Sequence, residues 1–220
     1  MSHAATLLGD QPASRAGASV LISALLLVWL GLISWFGATE AFVAPGGAPP
    51  LGLLAVVLGP VIVFLIAYRV SAAVREFVLM ADLRFITATQ AWRFGGFAFL
   101  ALYTYGVLPG YFAWPAGLGD MAIGAAAPWM LVGLAREPEF AASRKFVIWN
   151  VLGILDLIVA VTVGAVVPLL FPNVLGAIPT GAMTHLPLVL IPGFFVPGYI
   201  ILHVIALAQS HRFASAPRLR

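Results

Sequence analysis

The stretch FVIWNVLGILDLIVAVTVGAVVPLL, residues 146–170, decides the fold. It holds one ionisable residue, Asp156, and only two other polar side chains that hydrogen-bond strongly, Asn150 and Thr162. A bilayer core asks for roughly 20 consecutive apolar residues per helix, within about 17–25. A soluble helix of this length would carry a broad charged face, and this one has none. At about 100° per residue, Asn150, Gly153, Asp156, Ala160 and Gly164 fall within an arc of roughly 120°. The rest of the circumference is mostly Val, Leu and Ile. One side of the segment is therefore expected to face protein and the other lipid.

Five further stretches read the same way. The six predicted spans are 19–43, 51–73, 89–108, 117–135, 146–170 and 186–208. They form one transmembrane domain, 19–209, between a polar N-terminal tail (1–18) and a basic C-terminal tail (210–220). The breaks carry the expected chemistry. Ala44 to Pro50 is a Pro/Gly turn, Leu108-Pro109-Gly110 ends the third span, and Glu137-Pro138-Glu139 separates the fourth from the fifth. Phe171-Pro172-Asn173 through Pro179-Thr180-Gly181 separates the fifth from the sixth. The whole chain is 62% hydrophobic and 9% charged, against roughly 25% charged in soluble domains. The predicted fold class is an all-α, six-helix integral membrane bundle.

The charges orient it. Arg15 precedes the first span; Arg69, Arg75 and Arg84 lie between the second and third; Arg136, Arg144 and Lys145 lie between the fourth and fifth; Arg212, Arg218 and Arg220 follow the sixth. The other three loops contain no Lys or Arg. Positive residues stay cytoplasmic, so both termini are expected inside. The net charge of +3 is spread over loops and ends. It forms no nucleic-acid face and reads as topology signal plus contact with anionic lipid on the cytoplasmic side. The partner this predicts is the lipid bilayer; oligomeric state is not readable. Compactness and an Ala/Gly/Leu/Val-rich composition lean toward a bacterial inner membrane.

Other segments fit that frame. Residues 1–18 resemble a signal-peptide n-region, but the run from Ser19 to Val43 is longer than a signal h-region, and it reads as a retained helix. Tyr103, Tyr105, Tyr111, Phe112 and Trp114 form an expected outer aromatic belt; Trp92, Trp129 and Trp149 form the inner one. Residues 74–88 mix charge with apolar side chains. They suit either an amphipathic helix on the inner surface or an extension of the second span.

Ionisable groups at membrane depth are costly and mark interiors and pathways. Asp156 lies roughly 16 Å into its span by helical rise. Arg93 and His203 are its expected ionisable partners, with Asn150 at their depth. Glu40, Asp120 and His185 fall at predicted outer helix ends, as candidates for an external vestibule. The sixth span is interrupted by Pro187, Pro192 and Pro197, with Gly193 and Gly198 after the last two. Freed carbonyls at such breaks are tolerated where they are buried or line a cavity. Pro192, Gly193, Pro197 and Gly198 therefore join the pathway candidates.

Cofactor chemistry finds little footing. Cysteine is absent, which removes disulfides, thiolate metal sites and cysteine nucleophiles. His185 and His203 lie 18 residues apart on one predicted helix, roughly 27 Å by helical rise. One haem cannot bridge them. Lys145, the only lysine, sits at a helix end and is no Schiff-base candidate for retinal. No cofactor and no metal is expected.

Gly117-Leu118-Gly119-Asp120 resembles the Gly-x-Gly-Asp of intramembrane aspartyl proteases. That resemblance implies a catalytic aspartate pair sharing a proton. It covers four residues. The family's partner aspartate precedes the motif, whereas here the nearest earlier one, Asp82, lies in a predicted inner loop and Asp156 follows. The leading expectation is a small-solute or ion transporter or channel-like protein with an intramembrane carboxylate. A non-catalytic membrane subunit that binds a partner protein or lipid is the alternative, and an intramembrane enzyme the third.

Overall fold

A computed structural model describes residues 11–43, 51–170 and 180–215. The predicted turn at 44–50 and the segment 171–179 lie outside the described residues. Among those described there is no strand, and every regular element is helical. In chain order these are α1 (Gln11–Ala38), α2 (Leu51–Val70), α3 (Ala72–Met80), α4 (Leu83–Thr89), a 3₁₀ segment (Gln90–Gly96), α5 (Phe97–Thr104) and α6 (Gly110–Arg136). A 3₁₀ turn (Pro138–Ala142), α7 (Arg144–Ala165), the single turn α8 (Val167–Leu170), a 3₁₀ turn (Thr180–Thr184), a π turn (Ile191–Phe195) and α9 (Val196–Ser215) follow. Among the described residues, five helical segments are long and apolar enough to cross a membrane: Ser19–Ala38, Leu51–Val70, Gly110–Arg136, Arg144–Ala165 and Ile191–Ala214.

Boundaries differ from the sequence reading in informative places. α1 begins at Gln11, inside the expected polar tail, and α9 continues to Ser215 past the expected boundary at 209. The predicted third span, 89–108, lies on a helical run that changes type, from α4 through the 3₁₀ segment to α5. α6 begins at Gly110, seven residues before the predicted 117, and runs through Pro115 and Pro128. A proline removes one helix bond, and packed neighbours tolerate that at membrane depth. The segment after α2 is a helix of its own and not an extension. Ser71 leaves helical geometry and its side chain accepts from the Val74 N–H, starting α3 afresh. Asp82 caps α4 in the same way, accepting from the N–H groups of Arg84 and Phe85. Ser143 caps α7 through the Phe146 N–H.

Long-range hydrogen bonds gather the arginine-bearing loops at one end of the bundle. Arg84 donates to the Leu134 carbonyl, and Gln209 donates to the carbonyls of Val78 and Ala81. Ser210 donates to the Ala141 carbonyl. A cluster around Val78, Ile86, Leu134, Phe146 and Ile205 packs beneath them. The opposite end is built on Phe99, Leu108, Phe112 and Met183. α1 sits at the periphery, with Ile33 and Phe42 meeting Leu53 and Val189.

Glycines on α6 permit a close helix crossing. A Cβ on Gly96 would stand 2.5 Å from the Asp120 Cβ and 3.1 Å from the Gly117 carbonyl oxygen. A Cβ on Gly124 would meet the backbone of Arg93 and Phe94. The 3₁₀ segment and α6 therefore approach backbone to backbone, as small residues permit in membrane bundles. Three residues per 3₁₀ turn also align Gln90, Arg93 and Gly96 on one row, and all three are buried.

Candidate functional site

Four helical segments each bring a residue from about the middle of their length to one point: Arg93, Asp120 from α6, Asp156 from α7 and His203 from α9. Arg93 is at its centre, its side chain wholly buried. Its Nε donates to Asp120 Oδ1 at 2.7 Å, and its Nη2 donates to Asp156 Oδ2. Nη1 donates to the Gly153 carbonyl at 3.1 Å and meets His203 Nε2 at 3.0 Å. The Tyr199 ring lies 5.9 Å from the guanidinium carbon, within cation–π range.

The hydrogen-bond directions fix the imidazole. A guanidinium donates and never accepts, so His203 Nε2 is the acceptor and the proton sits on Nδ1. Nδ1 then donates to Asn150 Oδ1 at 2.8 Å, and Asn150 Nδ2 donates to the Phe146 carbonyl at 2.9 Å. Each group in the relay has one geometry open to it. His203 is also held by Trp149, whose ring lies 5.5 Å from the imidazole and whose indole N–H donates to the Ile123 carbonyl at 3.2 Å. Gly153 makes room for this: a Cβ there would overlap the His203 ring. Gly119 does the same for Asp156, whose carboxylate occupies the space a Cβ would fill.

With both aspartates ionised, a neutral His203 leaves one positive and two negative groups, a net charge of −1 in an apolar bundle. The two carboxylates are the accessible side of the cluster. Their side chains are 17% and 14% exposed for Asp120 and Asp156, against 0% for Arg93.

Asp156, Asn150, Arg93 and His203 thus meet. Asp120 requires a correction: it is not an outer helix-end residue, because α6 starts at Gly110 and not at 117, and it belongs with Asp156 on Arg93. The expected outer group does not assemble. Glu40 sits exposed in the turn after α1 at φ 56°. His185 is exposed and engages Thr184 Oγ1 and the Gly181 carbonyl through Nδ1. Pro192 and Gly193 are buried in the π turn, where a Cβ on Gly193 would stand 2.7 Å from Ile33 Cγ2 of α1. That is helix packing and not a cavity wall. Pro197 is buried at the start of α9, whereas a Cβ on Gly198 would meet nothing within 4 Å. Trp149 also departs from its expected belt, being 6% exposed, while Trp92 and Trp129 stay on the surface.

The sequence reading missed Tyr199, Thr87 and Gln90. Thr87 and Gln90 precede Arg93 at three-residue intervals, a pattern visible in the sequence once the row through Arg93 is drawn. Among the described residues, no group of three or more His, Asp or Glu is placed to hold a metal.

This is a helical protein of membrane-spanning character with a charged cluster at mid-bundle. Residues 50–209 match the family described as a domain of unknown function, DUF8737, and the chain belongs to that family. No curated protein and no solved structure matches the chain. Every residue of the cluster lies within the family's span, and α1 lies before it.

Proposed function

We propose that this is a six-span membrane protein that moves protons or small cations, alone or coupled to a small solute, and that the Asp120–Arg93–Asp156 cluster is where the positive charge binds. The observation that carries the reading is the charge excess. Two carboxylates face one arginine at mid-bundle, and an uncompensated charge in low dielectric is expensive. One more positive charge, a proton or a cation, balances the site. The carboxylates are the groups it can reach, since the arginine is closed off behind them.

The helical run 83–104 serves as the sixth span, and the basic end of the bundle faces the cytoplasm by the positive-inside rule. The setting is then a bacterial inner membrane, with arginines at that face available to anionic lipid. The protease-like resemblance gains no support from the cluster. Asp120 and Asp156 are each engaged by the Arg93 guanidinium, a counter-charge that a pair of carboxyls sharing one proton does not require.

The test is reconstitution of the purified chain into vesicles loaded with a pH dye, under imposed proton, sodium and potassium gradients. Movement of one of these ions that is lost in Asp156→Asn, with the variant still folded, is expected. No movement above empty vesicles under any gradient removes the transport reading in favour of the membrane-subunit one.

A further inference from the structure

Thr87 and Gln90 are nearly inaccessible, each about 1% exposed. Thr87 Oγ1 and both polar atoms of the Gln90 amide lack any hydrogen-bond partner in the protein. Other helical threonines show the usual alternative. Thr89, Thr104 and Thr162 each donate to a carbonyl three or four residues back, and Thr87 does not. An amide and a hydroxyl left dry would each cost about 1–3 kcal/mol. The two residues are one turn apart, and the next turn brings Arg93 on the same row. α4, where the row starts, is tied to the basic end of the bundle by the Arg84–Leu134 bond.

We propose that Thr87 and Gln90 hold internal water, and that this water forms a polar path from the basic end of the bundle to the Arg93 cluster. Gln90 offers two donors and an acceptor and Thr87 one of each kind, which is the mixed set that a bound water needs. An anion or cation would select groups of one polarity. The path deepens the transport reading by giving the cluster a wet side, and rests on that reading only for its purpose.

The chain has no natural cysteine, so single cysteines report local hydration directly. Thr87→Cys, Gln90→Cys and the apolar buried neighbour Ile86→Cys are compared in native membranes by their rates of reaction with N-ethylmaleimide. A thiol ionises and reacts only where water reaches it. Thr87→Cys and Gln90→Cys are expected to react about tenfold or more faster than Ile86→Cys. Equal rates at the three positions overturn the path. Gln90→Met supplies a second readout that does not depend on labelling. Removing a dry, unpartnered amide would raise Tm, whereas stripping a hydrated one lowers it. A Tm at or above wild type therefore also overturns the proposal. Ion movement plays no part in either measurement. Fast labelling without any ion movement leaves the water and removes the transport function. Slow labelling beside Asp156-dependent ion movement leaves the function and removes this path.

Discussion

Replacing Arg93 should be far more damaging than replacing either of its carboxylates. Arg93→Met deletes two ion pairs and the donors to Gly153 and His203. It also leaves two aspartates facing each other without a counter-charge. Breaking a buried pair by removing one partner costs about 3–5 kcal/mol, and here one substitution orphans two groups, which places it at the upper end. Asp120→Asn acts in the other direction on the charge count. It leaves one arginine with one carboxylate, an amide able to accept from Nε, and a site that is neutral. Its expected cost is about 1 kcal/mol or less, the scale of one weakened hydrogen bond. At about 2–4 °C per kcal/mol for a chain of this size, Arg93→Met should lower Tm by about 10–20 °C and Asp120→Asn by a few degrees. Thermal unfolding in mild detergent, followed by tryptophan fluorescence, separates the two. Adding Asp120→Asn to Arg93→Met should recover part of the loss by removing the repulsion. Equal losses for the two single substitutions, or no recovery in the double, would refute the charge-excess reasoning.

Other substitutions test the geometry around the cluster. Gly119→Ala and Gly153→Ala place a methyl group on the Asp156 carboxylate and the His203 ring, and each should cost about 1–3 kcal/mol in the same unfolding assay. Gly31→Ala meets nothing within 4 Å and should be neutral or slightly stabilising. Asn150→Leu removes the acceptor that holds the His203 Nδ1 proton, and should lower stability by about 1–3 kcal/mol, the cost of a buried donor left unpaired. For topology, a cysteine replacing Tyr105, exposed at the end away from the arginines, should react with an impermeant reagent from outside intact cells. One replacing the exposed Glu139 should not, and the reverse pattern would invert the bundle.

The helical membrane character was legible because hydropathy and length act along the chain, and a run such as 146–170 offers no soluble alternative. The packed face of α7 was legible for a related reason. Helical period alone puts Asn150, Gly153 and Asp156 on one side, and the structure buries Asn150 and Gly153 while leaving Ile148, Val151, Leu152 and Leu155 exposed. Asp120 was misplaced because its depth depends on where α6 begins. Pro109-Gly110 ends the preceding run as expected, but α6 starts directly at Gly110 and runs on through Pro115, which packed neighbours tolerate. The third predicted span was read as one plain helix, whereas its middle is 3₁₀. That tightened stretch is the one whose backbone lies against Gly117 and Gly124 of α6, a relation between distant residues that no local pattern records. The same holds for Gly193, which reads as a break in a transmembrane helix and is in fact the surface on which Ile33 of α1 rests.

The claim that the cluster takes up one positive charge is tested most directly by transient charge movement on a supported membrane. Vesicles containing the protein are given a sudden step in proton or cation concentration, and the displacement current is recorded before any steady flow. Wild type should give a current that Asp120→Asn reduces and that the combined Asp120→Asn and Asp156→Asn variant, folded by the unfolding assay, lacks. A current of the same size in wild type and in the combined variant would contradict the claim.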